Sequence, residues 1–136
     1  MKKFLAFLLV LTMSVLAFTA CGEDNAENAD NNNATAVAAS DKSILESNGY
    51  TVIYSAAGDY GFENVESGLK AEAGSMSGYI SATKNSGDGD MVVITVYYFK
   101  TEAYANAWYD KQTYKEAFVK SGVKIVTGDT EKLITK

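Results

Sequence analysis

Apolar and polar positions divide the chain into three stretches. Residues 4–18 are almost continuously apolar, residues 22–40 contain a single large apolar side chain, Val37, and residues 41–136 alternate in short periodic segments. These patterns are typical of an export signal, a linker and a folded domain. The sequence therefore predicts one domain over residues 41–136, behind a signal peptide at 1–20 and a disordered, acidic, Asn/Ala-rich tether at 21–40.

The periodic part of the chain predicts an α+β domain. Segments rich in β-branched and aromatic residues predict four strands. They lie at about 50–54, 79–84, 91–100 and 123–127. With the helices described next, the order is a short helix followed by β-α-β-β-α-β. That order is the ferredoxin-like split βαβ arrangement, in which two helices cover one face of a four-stranded antiparallel sheet.

Three helices are predicted, at about 43–48, 62–74 and 101–122. The first begins with a capping-box spacing at Ser43 and ends at an Asn-Gly stop signal. The second carries Phe62, Val65 and Leu69 at helical spacing, and the third begins at Thr101, a suitable N-cap residue. In the third helix Lys111 falls on the apolar face, so either its stem reaches solvent or the helix bends near 111–113.

The register of the hairpin between the two middle strands predicts which side chains share each face of the sheet. One of these faces is not covered by the two longer helices. Asp88-Gly89 suits a two-residue type I′ turn, which places Ile80 opposite Tyr97. In this register the side chains pointing away from the helices include Tyr79, Ile94, Val96 and Tyr98. A slip of one residue would exchange the two faces.

The bare face needs a cover, because large contiguous apolar surfaces are rarely left exposed. Three covers are open: the short first helix with Ile44 and Leu45, a second copy of the domain, or a ligand or protein partner. Tyr79, Ile94, Val96 and Tyr98 are therefore the candidate binding residues, and a homodimer through this face is a candidate assembly.

Composition excludes several classes of function. The chain has 12 basic and 17 acidic residues and a net charge of −5, so it lacks the clustered positive charge that nucleic-acid binding requires. It has no histidine and one cysteine, Cys21, which excludes His-based triads, Cys/His dyads and ordinary zinc sites. The sequence predicts no cofactor, no metal and no catalytic residue.

Weaker signals for catalysis are present. Three Ser-x-x-Lys spacings match the nucleophile motif of penicillin-recognising enzymes, without the companion elements of that family. They are Ser67 to Lys70, Ser81 to Lys84, and Ser121 to Lys124. Asp59, Glu63 and Glu66 could supply an acid and a base, although acids at a helix start are favoured in any case. Asp88 and Asp90 could contribute to a calcium site, yet a tight turn uses the same residues.

The N-terminal stretch carries the most specific motif. Lys2 and Lys3 precede the apolar run, which is too short to span a bilayer as a helix and ends Phe18-Thr19-Ala20-Cys21. These residues resemble the signal and lipobox of bacterial lipoproteins. The resemblance implies that Cys21 carries a lipid and anchors the protein on the extracytoplasmic side of the cell membrane. Ordinary signal cleavage, after Ala17 for example, is the alternative.

The sequence thus predicts a membrane-anchored extracytoplasmic lipoprotein with a small, non-catalytic binding or scaffolding domain. One alternative is an inhibitor or regulatory module of an exported enzyme. Another is a carboxylate-dependent hydrolase that uses Asp59, Glu63 or Glu66.

Overall fold

An open five-stranded antiparallel sheet and three α-helices make up the part of the chain that the structure describes. The computed structural model describes residues 25–128 and 134–135. The elements are α1 (Asn25–Ser47), β1 (Thr51–Ala56), α2 (Phe62–Gly68), β2 (Met76–Asn85), β3 (Met91–Phe99), α3 (Glu102–Asp110), a 3-10 turn (Lys115–Ala117), β4 (Val119–Ser121) and β5 (Lys124–Gly128). The predicted α+β class is confirmed, and the predicted four strands become five because the short β4 precedes the last of them.

The strands lie in the order β1-β2-β3-β5-β4. All neighbours are antiparallel, and β1 pairs directly with β2. A βαβ unit instead joins parallel strands by a crossover. The helix between β1 and β2 is therefore no such crossover, and the ferredoxin-like arrangement is not confirmed.

Helix α1 covers one face of the sheet with a stripe of small and apolar side chains. Ala34, Ala38, Asp41 and Leu45 recur at helical spacing and are all buried. Ala38 and Leu45 belong to a core that includes Ile80, Ile94, Val96 and Tyr98. Because the alanine side chain is short, a helix can pack closely on a sheet through alanines. The stretch has few large apolar residues, so the sequence pattern did not indicate a buried helix there.

This helix corrects two predictions. Residues 25–40 are helical and therefore not part of a disordered tether. Ser43 lies within α1 and is not its N-cap, so the capping-box spacing there is coincidental. The predicted stop at Asn48-Gly49 is confirmed, since α1 ends at Ser47 and Gly49 has a φ of 84°.

Helices α2 and α3 pack on the opposite face, around Trp108. Its ring meets Phe118 edge to face, with centroids 5.1 Å apart, and lies 6.1 Å from the ring of Phe99. Its indole N–H donates to the carbonyl oxygen of Leu69 at 2.9 Å, which ties the end of α2 to α3. Both helices are short, so this second core covers only part of its face.

The β2–β3 hairpin differs from the prediction by one residue. Asn85 pairs with Met91 and Ile80 with Val96, so the loop contains residues 86–90 instead of a two-residue turn. Gly87 and Gly89 adopt φ values of 92° and 91°, which glycine tolerates at no steric cost. The slip reverses the predicted orientation of β2 while β3 keeps its predicted one.

The third helix is shorter than predicted. The Thr101 hydroxyl accepts from the backbone N–H of Tyr104 at 3.2 Å, which confirms the predicted cap. The helix ends at Asp110, within one residue of the predicted bend, and Gly122 lies in the turn between β4 and β5 instead of ending a helix.

Candidate functional site: the open half of the sheet

Helices α2 and α3 leave the hairpin end of their face uncovered. The residues of this surface, here called the open half-sheet, are Thr51, Ile53, Ser81, Thr83, Met91, Val93 and Thr95. None of them belongs to either buried core. Ile53 is 62% exposed, Met91 63% and Val93 40%. Large apolar side chains exposed together on a rigid sheet are typical of interaction sites.

The strand register arranges these residues in two cross-strand rows. Ile53, Ser81 and Thr95 form one row, and Thr51, Thr83 and Val93 form the next. Neighbouring side chains in a row are separated by the strand spacing of about 4.8 Å. The surface is therefore a regular array of aliphatic and hydroxyl groups on a backbone fixed by ladder hydrogen bonds.

The open half-sheet carries no charged side chain, although the chain has a net charge of −5. Lys84, on the same strand as Ser81 and Thr83, points to the α1 face, where its ammonium donates to the carbonyl oxygen of Asn48 at 2.7 Å. Depletion of charge is the compositional mark of the core of protein interfaces. The arrangement suits contact with a flat, largely uncharged surface.

The predicted binding residues do not form an exposed surface, and the exposed face of the sheet is the opposite one. Ile94, Val96 and Tyr98 are each 0% exposed because α1 covers them. Tyr79 lies on the opposite face, half-buried, with its ring stacked 6.1 Å from that of Phe62. The predicted site is thus wrong as an accessible surface, and the cover is the intramolecular one, in which Leu45 is fully buried and Ile44 packs at the margin.

No sequence pattern predicted the orientation of Ile53, whereas the predicted hairpin register placed Met91 and Val93 against the helices. Their face was predicted correctly, but α2 and α3 do not reach that far. The length of each helix was the feature that would have predicted this. Only a helix long enough to extend along the whole strand would have covered these three side chains.

A buried ion pair links α1 to the sheet beneath it. The Lys124 ammonium lies 2.9 Å and 3.0 Å from the two carboxylate oxygens of Asp41, and the Tyr98 hydroxyl donates to Asp41 Oδ2 at 2.8 Å. Asp41 is 3% exposed and Lys124 7%. Three elements, α1, β3 and β5, therefore meet at one carboxylate.

The lysines of two of the three Ser-x-x-Lys matches, Lys124 and Lys84, have structural roles. Lys124 is occupied by Asp41 and lies opposite Ser121 in the β4–β5 hairpin. Lys84 is held by Asn48 and lies over the Tyr50 ring, 5.5 Å from its centroid. In both cases the lysine has a structural partner.

Alkaline conditions should weaken the fold through Tyr98. Burial, with the neighbouring Asp41 carboxylate, raises the pKa of Tyr98 well above its usual value of 10.0. The unfolded chain therefore releases this proton at a lower pH than the folded chain does. The Tyr98 contribution to stability is complete below pH 10 and is lost as the pH rises further, by about 1.4 kcal/mol per pH unit.

Urea unfolding between pH 8 and pH 11 measures this loss. Burial also raises the pKa of Tyr54 and Tyr97, so some alkaline loss remains in any single variant. The Tyr98→Phe variant should lose stability less steeply than the parent chain above pH 10. Parallel curves for the two chains would show that Tyr98 ionises equally in both states.

The candidate carboxylates are mostly committed to the backbone. Glu66 is buried, and its two oxygens accept from the N–H groups of Gly74 at 3.0 Å and Met76 at 2.9 Å. Asp59 accepts from the N–H of Ala56 at 2.7 Å. Glu63 is exposed on α2, beside a cleft of about 530 Å³ that Glu66 also lines. These bonds give Asp59 and Glu66 structural roles.

The Asp88-Gly-Asp90 turn is an ordinary hairpin loop. The carbonyl oxygen of Asp90 accepts from both the N–H and the hydroxyl of Ser86, at 2.9 Å and 3.0 Å. Within residues 25–128 and 134–135, no three cysteine, aspartate or glutamate side chains come close enough together to hold a metal ion.

Comparison of the chain with protein-family models, with curated proteins and with solved structures finds no match. Among the helices that the structure describes, none combines the length and apolar character needed to cross a bilayer. Cys21 and the rest of the predicted signal and lipobox lie outside the described residues.

Proposed function

We propose that this chain is an exported lipoprotein whose domain binds a protein partner outside the cytoplasm through the open half-sheet, without catalysis. One observation carries the proposal: a rigid, charge-free surface exposes Ile53, Met91 and Val93 together on a chain of net charge −5. Such a surface is suited to recognition, because flat apolar and hydroxyl groups offer contact area with little polar desolvation.

The anchor part of the proposal rests on the N-terminal motif. The described part of α1 starts at Asn25, four residues after Cys21. Four residues reach at most about 14 Å when fully extended. A lipid on Cys21 would therefore hold the start of α1 close to the membrane, in place of the long flexible reach that a disordered tether would give.

The bonded state of most of the candidate catalytic groups supports a binding role over hydrolysis. Lys84, Lys124, Asp59 and Glu66 each bind a structural partner. A general base must instead be free to take a proton from substrate. If the partner is an exported enzyme, the same surface would make the chain its inhibitor or regulator.

A photo-crosslinking amino acid in place of Val93 tests the binding surface. The full chain is expressed in cells of its own source and irradiated, and adducts are identified by mass spectrometry. Crosslinks to one protein are expected at Val93, and the further substitution Thr83→Lys in the same chain should abolish them. Glu46, exposed on the α1 side, is the matched control position. Adducts at Glu46 and none at Val93 would contradict the proposed surface.

Fatty-acid labelling tests the anchor separately. Label should enter the parent chain and be absent from the Cys21→Ser variant. If the variant keeps the label, Cys21 is not the lipidated residue, and the anchor part of the proposal fails independently of the binding surface.

A further inference from the structure

Strand β1 has one free edge, and the hydrogen-bond pattern identifies which groups lie on it. The N–H of Ala57 donates to the carbonyl oxygen of Ser77 at 2.9 Å, on the side of β2. Because antiparallel strands alternate inward and outward residues, Ser55, Ile53 and Thr51 also bond toward β2. The backbone groups of Val52 and Tyr54 therefore point away from the sheet.

Both ends of this free edge are closed by the chain itself. At one end the N–H of Ala56 donates to Asp59 Oδ2 at 2.7 Å, and the N–H of Asp59 donates to the carbonyl oxygen of Ala56 at 3.0 Å. At the other end the N–H of Tyr50 donates to the carbonyl oxygen of Leu45 at 3.1 Å. Between them, two N–H and two C=O groups face outward with no partner in the part of the chain that the structure describes.

Between these closed ends, the free stretch from Val52 to Tyr54 carries none of the charged residues, prolines or bulges that protect many edge strands from pairing. Edge strands are commonly kept short, or carry charged residues, proline or bulges. The opposite edge follows this rule, because β4 has three residues and one of them is Lys120. Strand β1 has six residues, TVIYSA, with no charge, no proline and an unbroken register with β2.

We propose that two copies of this chain pair through β1, edge to edge and antiparallel, into one continuous sheet. In an antiparallel pair, two opposite residues exchange hydrogen bonds only if the backbone N–H and C=O groups of both point toward the other strand. Val52 therefore lies opposite Tyr54 of the second copy. In this register all four free groups of each strand are bonded. A shift of two residues either way would set one of them against Tyr50 or Ala56, whose N–H groups already have acceptors.

The proposed register places Ile53 on the two-fold axis, opposite Ile53 of the second copy. Directly opposed residues share a face, so the pair would bury part of a side chain that is 62% exposed in one chain. Thr51 would lie opposite Ser55 of the second copy, and no like charges would meet along the strand.

The helices allow this assembly. Helix α1 packs mainly on β2, one strand in from the edge. The two copies of α1 would therefore lie about three strand spacings, or about 14 Å, apart. Packed helices need only 8–10 Å. The two open half-sheets would join on the opposite side into one surface with Ile53 at its centre.

Disulfide crosslinking of the full chain tests the register. An Ile53→Cys chain should form a covalent dimer under mild oxidation, since opposed residues in a non-hydrogen-bonded pair have Cα atoms about 4.5 Å apart. A Thr51→Cys chain should not, because its two cysteines would lie about 14 Å apart. Thr51→Cys mixed with Ser55→Cys should crosslink. All of these variants are made in a Cys21→Ser chain, so that each protein has one thiol.

Sedimentation velocity tests the assembly without a crosslink. The parent chain should sediment as a dimer, Ile53→Val should remain one, and Ile53→Lys should become a monomer with unchanged circular dichroism, since like charges would meet on the axis. A monomeric parent chain at high micromolar concentration, or Thr51→Cys crosslinking as readily as Ile53→Cys, would overturn the proposal. The proposal does not rest on the proposed function. The two share Ile53, but sedimentation measures the dimer and crosslinking at Val93, two strands away, measures the partner surface.

Discussion

Replacing Lys124 by methionine should lower the free energy of unfolding by about 3–5 kcal/mol. The substitution leaves the Asp41 carboxylate buried, 3% exposed, without its positively charged partner. The carboxylate keeps the hydrogen bond from the Tyr98 hydroxyl. A small domain has about 5–15 kcal/mol of stability in total, so this single change should bring the protein close to unfolding. Urea unfolding followed by circular dichroism measures the loss.

Two further variants show whether the buried charge is the cause. Lys42→Met removes an exposed i,i+4 pair with Glu46 on the same helix and should cost no more than about 1 kcal/mol. The triple variant Asp41→Leu/Lys124→Met/Tyr98→Phe removes the whole polar cluster and should recover most of the stability lost by Lys124→Met. A Lys124→Met chain as stable as Lys42→Met would show that Asp41 is not isolated from water.

Replacing Val96 by lysine should unfold the domain. Val96 is 0% exposed beneath α1, so the variant must either bury an ammonium group or displace the helix. Several kcal/mol of destabilisation are expected, a large part of what a domain of this size possesses. Loss of the circular dichroism spectrum, or of a cooperative thermal transition, is the measurement.

Val93→Lys is the matched control for Val96→Lys. Val93 lies on the same strand but on the open half-sheet, where it is 40% exposed. Its replacement by lysine should change stability by less than about 1 kcal/mol, as surface substitutions usually do. Two equally stable variants, or the reverse order, would contradict the assignment of the two faces.

Local sequence signals identified much of the fold. The Thr101 cap, the start of α2 at Phe62 and the strand character of Met91–Phe99 follow from hydrogen-bonding groups and periodicity within a few residues. The extent of α1 did not, because its buried stripe includes the small residues Ala34 and Ala38. An alanine side chain buries little apolar area. Whether these alanines are buried depends on packing against a sheet formed by residues far away in the sequence.

The site was harder to predict than the fold. Which face of β2 meets α1 depends on a single residue of hairpin register, and a five-residue loop replaced the expected two-residue turn. The Asp41–Lys124 pair joins residues 83 positions apart, which no local pattern reports. The bare surface predicted for Ile94, Val96 and Tyr98 is covered by α1. The exposed surface lies on the opposite face, where α2 and α3 are too short to reach it.

Thiol reactivity at two adjacent residues of β3 tests the two faces of the sheet most directly. Val93→Cys and Ile94→Cys are each made in a Cys21→Ser chain, so that every protein has one thiol, and a maleimide reagent is added to the folded protein. The Val93→Cys thiol should react nearly as fast as in the unfolded chain, whereas the Ile94→Cys thiol should react only after denaturant is added. Rapid modification of Ile94→Cys together with protection of Val93→Cys would place the open surface on the α1 side and contradict the account.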